Sequence, residues 1–226
     1  MGGTITAIEV QQRNADRASI YLDGEYAFGL PLDEAARLHK GQVLSDEEIA
    51  ALRAIDEIAR AFDRAVRLLA RRPYSTTEIR RHLESKAIAP PVVDEALARL
   101  EHLGYVDDRA FVEYWVENRE RFNPRGPRAL AYELRQKGIP SGLIDEVLAE
   151  VDSHDSAYRA AQEKARRWRG LSRADFYQKL GAFLTRRGFD YSLAREVIEQ
   201  TIRELEDEDV AAFRQAIAEE RFRDAV

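Results

Sequence analysis

The side chains that could do chemistry are unevenly supplied. Four histidines, His39, His82, His102 and His154, stand apart from one another, and none has a partner at a ligand spacing such as HExxH, so they compose no zinc site. There is no cysteine, which removes thiolate ligands and disulfides together and gives no sign of an oxidising compartment. The glycines fall at turns and helix ends, and HKGQ (residues 39–42) lacks the upstream glycine and following Ser/Thr of a phosphate-binding loop. Asp107-Asp108 is the one conspicuous carboxylate pair. It precedes a helical stretch, where Asp caps backbone N–H groups and suits the helix dipole. The chain reads as a non-enzyme, with no cofactor and no metal.

Arginine is what the sequence supplies in quantity, and it is clustered. Arg71, Arg72, Arg80, Arg81 and Lys86 crowd one short stretch with Tyr74 among them. Arg119, Arg121, Arg125, Arg128, Arg135 and Lys137 crowd a second, and Arg166, Arg167, Arg169, Arg186 and Arg187 a third. Any one of them suits a solvated helix face paired with Glu at helical spacing, as Arg80 could pair with Glu84. Recurrence at equivalent places makes the set a candidate strip for a partner protein or DNA phosphates. Tyr114, Trp115, Phe122, Tyr132, Trp168, Tyr177 and Phe183 could stack on bases beside them, but at helical spacing they are expected to be core. Tyr74, in a turn, is expected to be exposed.

Charge and composition limit the partner. The 226 residues are 45% hydrophobic and 34% charged, with a formal net charge of −6, which opposes nucleic-acid binding by the whole surface. Residues 61–102 carry eight Lys/Arg against six Asp/Glu, and residues 152–200 ten against seven, between acidic ends. Any binding to nucleic acid is expected to be weak and salt-sensitive. No apolar run reaches the roughly 20 residues of a membrane span, and the first ten residues lack the features of a signal peptide. A soluble cytoplasmic monomer is expected.

The elements that must position these residues follow from periodicity. ITAIEVQQ, RASIYL and EYAFGL alternate apolar with polar residues, the period of a half-buried strand. Asp23-Gly24 is a favoured hairpin turn, so a small antiparallel sheet of two or three strands opens the chain, followed by a short helix in LPLDEAARL. From Ser45 onward the chain reads as helix. Ser45 with Glu48, and Ser75 with Glu78, form capping boxes, and Ile49, Leu52, Ile55, Ala59, Phe62, Val66 and Leu69 form one apolar stripe that ends before Pro73. The stretch RRPYSTTE is thus a stop followed by a start.

That joint recurs every 50 or 51 residues. The aligned sets are Leu83/Leu134/Leu184, Ile88/Ile139/Phe189, Val92/Leu143/Leu193, Glu95/Glu146/Glu196 and Leu97/Leu148/Ile198. One more helix precedes each copy, giving a unit of three helices. The third copy departs at Ala194 and Arg195. The expected fold is mainly α, tandem three-helix repeats in an elongated arrangement after a small antiparallel β extension. The divisions are 1–44 for the extension, 45–105, 106–152 and 153–205 for the repeats, and 206–226 for an acidic tail with a last amphipathic helix.

The blocks ARRPYSTTEIRRHL (residues 70–83), LEHLGYVDDRAFVEYWVENR (100–119) and GPRALAYELRQKGI (126–139) resemble the signature stretches of the RecX regulatory proteins, modulators of the RecA recombinase. The resemblance runs from about Phe62 to Leu205. It implies a protein without catalytic activity that lodges in the groove of the RecA filament on single-stranded DNA, spans more than one protomer, hinders filament growth and favours disassembly. It thereby restrains recombination, repair and the SOS response. Two other readings of the same residues stand beside it: a helix-turn-helix or winged-helix transcription regulator built on residues 75–105, and an interaction scaffold with a different client.

Overall fold

The computed structural model describes residues 2–168 and 170–208, and the chain divides into two compact units, Met1–Asp107 and Asp108–Val226. In the first, β1 (Gly3–Gln11), β2 (Asn14–Leu22), β3 (Glu25–Pro31) and β4 (Val43–Leu44) form an antiparallel sheet of order β3-β2-β1-β4. Asp23 (φ 49°) and Gly24 (φ 93°) make the β2–β3 turn, as their types predict. The sheet has one strand more than the sequence suggested. β4 is two residues long, too short to show alternation, and it pairs only with Gly3 and Thr4. The expected helix after the sheet shrinks to α1 (Leu32–Ala35).

One long helix, α2 (Asp46–Leu69), serves two cores. Its capping box is formed, Ser45 Oγ accepting from Glu48 N at 3.2 Å and Glu48 accepting from Ser45 N at 2.8 Å. Ile49 and Leu52 cover Ile5, Ile20, Phe28 and Leu30 of the sheet, while Ala65 and Leu68 join Ile79, Leu83, Val93, Leu97 and Leu100. Between the two patches lies Asp56, buried and bonded to Arg17 of β2, with Arg60 3.8 Å away. A buried ion pair adds little stability over an apolar pair of the same size, but it penalises any slip that leaves one charge unpaired. It therefore fixes where along the sheet α2 lies.

Repeat 1 is completed by α3 (Thr76–Glu84) and α4 (Pro90–His102). The chain then turns at Gly104 and enters the next helix at Asp108 with no strand between. The second unit holds α5 (Asp108–Phe122), α6 (Pro127–Gln136) and α7 (Ser141–Ala149), then α8 (Ser153–Ala165), α9 (Arg173–Arg186) and α10 (Tyr191–Glu208). Each three-helix group closes its own core. The sequence register has a direct meaning: Leu83, Leu134 and Leu184 are fully buried, whereas Glu95, Glu146 and Glu196 are exposed at the same station. Val93, Ile144 and Ala194 are also buried. The smaller Ala194 belongs to a core of different make-up, where Ala157, Ala160, Ala161 and Ala165 of α8 face Phe176, Phe183 and Phe189. α10 does not stop at Leu205, its last buried residue among those described, but runs on to Glu208. The amphipathic stretch predicted after residue 209 lies outside the described residues, as does Arg169.

Each second helix ends in a left-handed residue: Ala87 (φ 58°), Gly138 (φ 78°) and Gly188 (φ 86°). Alanine in this region is strained by roughly 1–2 kcal/mol. Gly188 has a second constraint, because a Cβ there would lie 2.6 Å from the Cβ of Ala129, and one on Gly126 would lie 2.3 Å from the carbonyl of Gly188. Gly126 N donates to Arg187 O at 2.9 Å, so repeats 2 and 3 meet backbone to backbone. Opposite outcomes are expected at equivalent stations: Ala87→Gly raises stability by up to about 1 kcal/mol, whereas Gly188→Ala lowers it by more than that. Urea denaturation of the two variants checks both signs.

Candidate functional site

The three basic clusters fold into joints, and each joint uses some of its arginines internally. At the first, Arg72 donates from Nη1 and Nη2 to the two Glu78 oxygens at 3.1 and 3.0 Å and from Nη1 to Pro73 O at 2.7 Å. Its guanidinium lies 3.5 Å from the centre of the Tyr74 ring. Glu78 also closes the capping box on Ser75, which is fully buried. The motif Arg-Pro-Tyr-Ser-x-x-Glu is therefore a clasp in which Glu78 caps a helix and holds a stacked arginine. The Glu78 hydrogen bonds raise the Arg72 pKa above its ordinary value. Tyr74 is half-buried against the repeat 1 core, not exposed as its turn position suggested. Arg80 pairs with Asp94 of α4 at 2.6 Å and not with Glu84, because α4 brings a carboxylate alongside α3.

The second joint is organised by Glu133, which the sequence reading passed over. Trp115 Nε1 and Arg119 Nε donate to it at 2.9 and 2.8 Å, and Arg125 Nε lies 3.0 Å away. Arg119 and Lys137 both lie over the Trp115 ring, at 4.2 and 4.9 Å. In the third joint Arg187 donates to Asn123 and to Pro124 O of the α5–α6 loop and covers the Phe183 ring at 4.9 Å. Burial, then the charge of Arg125, lowers its pKa. Arg128 pairs with Asp190 at 2.9 Å.

The structure thus sorts the candidates. Arg72, Arg80, Arg119, Arg125, Arg128 and Arg187 are committed to carboxylates, amides or carbonyls of their own chain, and Arg81 and Lys137 are also engaged. Arg71, Lys86, Arg121, Arg135, Arg166, Arg167 and Arg186 are exposed and reach no carboxylate within ion-pair distance among the described residues. Arg121 lies 5.2 Å over the ring of Phe122, which is 70% exposed. Tyr114 and Tyr132 are exposed as well, against their expected place in the core, whereas Phe183 is buried and Trp115, Trp168 and Tyr177 are partly covered.

Two features lie outside the predicted set. Arg64 of α2, seven residues before Arg71 in the turn that follows the helix, is exposed. A cleft of about 440 Å³ in the first unit is lined by Phe62, Tyr105 and three arginines (Arg17, Arg67, Arg99) against Asp16, Asp33 and Asp63, so it carries no net preference for an anion. Among the described residues no group of three His, Asp or Glu could hold a metal ion. Asp107 immediately precedes α5, and Asp108 is its first residue.

These features define a class: a helical-repeat protein with a small N-terminal sheet, whose joints combine internal arginine clasps with uncommitted surface cations. Four family profiles match it in order: the Regulatory protein RecX N-terminal domain over residues 3–45, and the first, second and third RecX three-helix domains over residues 61–100, 107–148 and 150–198. Regulatory protein RecX of Bacillus subtilis (strain 168) is 31% identical over 224 residues, covering 97% of this chain and 85% of that protein. Regulatory protein RecX of Chlorobium phaeobacteroides (strain BS1) is 42% identical over 146 residues, 64% of this chain and 95% of that protein. A crystal structure of regulatory protein RecX matches with a TM-score of 0.73 at 29% identity, covering 87% of this chain and 99% of the other. RecX from Lactobacillus salivarius shares the fold at a TM-score of 0.58 and 21% identity, covering 65% of this chain and 97% of the other. The chain belongs to the RecX family of regulatory proteins.

The clasp yields a stability prediction. Arg72→Ala removes a bidentate pair and a stacked cation and is expected to destabilise the first unit by about 1–2 kcal/mol, whereas Arg71→Ala leaves the urea midpoint unchanged. Replacing Arg71, Arg72, Arg80 and Arg81 together would therefore confound folding with binding. His82 gives a second. Its pKa is lowered by burial first and then by Lys86, Arg64 and Arg71, so the folded chain holds this proton less tightly than the unfolded one. Its contribution to stability is fully present above the ordinary histidine value of about 6.5 and is lost as pH falls through the lower folded value. Between about pH 7 and pH 5 the wild-type urea midpoint is expected to fall further than that of His82→Asn.

Proposed function

We propose that this chain is a non-enzymatic modulator of the RecA recombinase, acting in the cytoplasm as a monomer. It binds in the groove of the RecA filament on single-stranded DNA, blocks extension and promotes disassembly, and so restrains recombination, repair and the SOS response. The observation that carries the reading is the match of the RecX profiles along the chain, joined to the finding that uncommitted cations persist in all three repeats: Arg71 and Lys86, Arg121 and Arg135, then Arg166, Arg167 and Arg186.

The physical logic is that of linked weak contacts. Three helical groups, each with its own core, can each touch a different protomer of a repeating filament, and linkage converts modest contacts into useful affinity. The divisions at residues 45–105, 106–152 and 153–205 serve as the contact modules, with the sheet of residues 1–44 and the acidic residues 206–226 outside them. Exposed cations facing acidic groove walls or phosphates give an affinity that falls as salt rises. A winged-helix regulator would need a hairpin after its recognition helix, and here α4 is followed directly by α5.

RecA ATP hydrolysis on single-stranded DNA, with this protein titrated in, tests the proposal. Progressive loss of hydrolysis well below one copy per recombinase is expected, because blocking a growing end affects many protomers. No effect up to equimolar, with a folded chain and a species-matched recombinase, sinks it. Sequence-specific operator binding would favour a transcription regulator instead.

A further inference from the structure

Repeats 2 and 3 have separate apolar cores, and among the described residues no buried hydrophobic cluster runs from one to the other. What joins them is polar and local. At one place Ser156 of α8, fully buried, donates from Oγ to Glu120 Oε1 at 3.1 Å, and Arg159 donates to Glu120 O near the end of α5 at 3.2 Å. At another the loop before α6 meets the turn after α9. There Gly126 N donates to Arg187 O at 2.9 Å, the Arg187 guanidinium donates to Asn123 Oδ1 and to Pro124 O, and Arg128 pairs with Asp190 at 2.9 Å. Apolar burial is non-directional and lets surfaces slide, whereas hydrogen bonds weaken steeply with misalignment. Two directional anchor points therefore fix the angle between the repeats as well as their distance. Gly126 is held to glycine by the neighbour alone. Its φ of −74° is open to any residue, so repeat 2 by itself does not require glycine there. Repeat 3 does, because a Cβ on Gly126 would lie 2.3 Å from the carbonyl carbon and oxygen of Gly188 and 2.4 Å from Phe189 N. Arg187 is the counterpart on the other side. It is half-buried, it reaches no carboxylate within ion-pair distance among the described residues, and both hydrogen bonds of its side chain cross to repeat 2.

We propose that these contacts form a latch that makes repeats 2 and 3 one rigid module, and that Arg187 is its positioning residue and not a contact for the partner. The latch stands on the contacts alone; its consequence deepens the proposed function and rests on that reading. Linked weak contacts gain affinity only in so far as the chain already holds them at the spacing and orientation of the target. With the latch closed, Arg121 and Arg135 of repeat 2 and Arg166, Arg167 and Arg186 of repeat 3, all exposed, are held at one set of separations, so the pair of repeats and not the single repeat is the unit that docks. The latch is also small enough to open without unfolding, since none of its residues belongs to either apolar core. Arg187 is where it is weakest. Its cation is held by a neutral amide and a neutral carbonyl beside Arg125, and burial, then that neighbouring charge, lowers its pKa.

The absence of cysteine makes the test direct on the full chain. Glu117 of α5 and Lys179 of α9, both exposed and outside the latch, are changed by Glu117→Cys and Lys179→Cys and spin-labelled, and their separation is read by double electron–electron resonance. One narrow distance distribution is expected. Gly126→Ala, which pushes a methyl group into the backbone of repeat 3, and Asn123→Ala, which removes an Arg187 acceptor, are each expected to broaden or shift it at unchanged helical content by circular dichroism. Gly142→Ala, where a Cβ meets nothing within 4 Å, is expected to leave it as it was. A broad distribution in the otherwise wild-type chain overturns the latch, and so does one that neither folded variant alters. The consequence is read separately, as inhibition of RecA ATP hydrolysis on single-stranded DNA. Arg187→Ala is expected to need a several-fold higher concentration for half-inhibition, and a short bis-maleimide joining Arg128→Cys to Asp190→Cys in that variant is expected to restore it. Such a bridge cannot replace a side chain that touches the partner, so failure of the rescue in a folded, cross-linked chain overturns the positioning role. Unchanged inhibition by an opened variant does the same. Absence of inhibition by the wild type itself counts against the modulator reading, while the latch is still decided by the spin labels.

Discussion

The helical part of this protein depends on reversing the chain within three residues at the end of each second helix. At Lys137-Gly138-Ile139 the glycine takes a left-handed conformation, Gly138 N donates to Arg135 O at 2.9 Å and Ile139 N to Leu134 O at 3.1 Å. These bonds satisfy carbonyls that would otherwise be orphaned at the helix end. They also throw Ile139 into the core beside Leu134. Arg187-Gly188-Phe189 repeats the geometry, with Phe189 N donating to Leu184 O at 3.2 Å. The buried leucine, the left-handed residue and the following apolar plug form one device, and the third helix of every group starts from the direction it sets. Where glycine occupies the turn, the backbone can also be approached closely. That is why Gly188 could become the meeting point with Gly126, whereas Ala87, carrying a Cβ, serves only to turn.

Arginine has two physically distinct roles here, and they compete for the same residues. A guanidinium that lies on an aromatic ring and forks onto a carboxylate, as Arg72 does with Tyr74 and Glu78, is pre-organised and half desolvated. Its charge is compensated, and its long-range field is small. A guanidinium without a carboxylate, such as Arg71, keeps its field and can attract a polyanion. The two are adjacent in the chain. The division between compensated and uncompensated charge therefore runs between neighbouring residues and not between segments, and it is decided by which carboxylates the tertiary structure delivers.

That division marks what the sequence could and could not disclose. The repeat was legible because burial at Leu83, Leu134 and Leu184 imposes a residue type on each copy, and because Ser75 with Glu78 is a local motif whose partners are three residues apart. β4 was not legible, since two residues carry no period. Helical spacing offers Glu84 as a partner for Arg80, but Asp94 reaches it from another helix. Glu133 went unremarked because its importance comes from two donors, Trp115 and Arg119, and the Arg125 guanidinium converging on one carboxylate from different sequence positions. Exposure of Phe122 and Tyr132 was missed for a related reason: helical spacing says which residues share a face, not whether that face is covered.

The proposed nucleoprotein partner has to be reconciled with a net charge of −6. Net charge governs attraction at distances beyond the Debye length of about 8 Å at physiological ionic strength, and at that range this molecule is repelled by a polyanion. Within that length only local charge counts, and there the uncommitted cations of repeat 1 act without the carboxylates that neutralise their neighbours. Under the proposed function such a chain binds DNA poorly by itself and better once a protein contact holds it close, since proximity removes the long-range penalty and leaves the short-range gain. Under the same proposal, acidic residues elsewhere on the chain act as a specificity device. They discourage binding to bare nucleic acid while leaving binding to a protein-coated strand available.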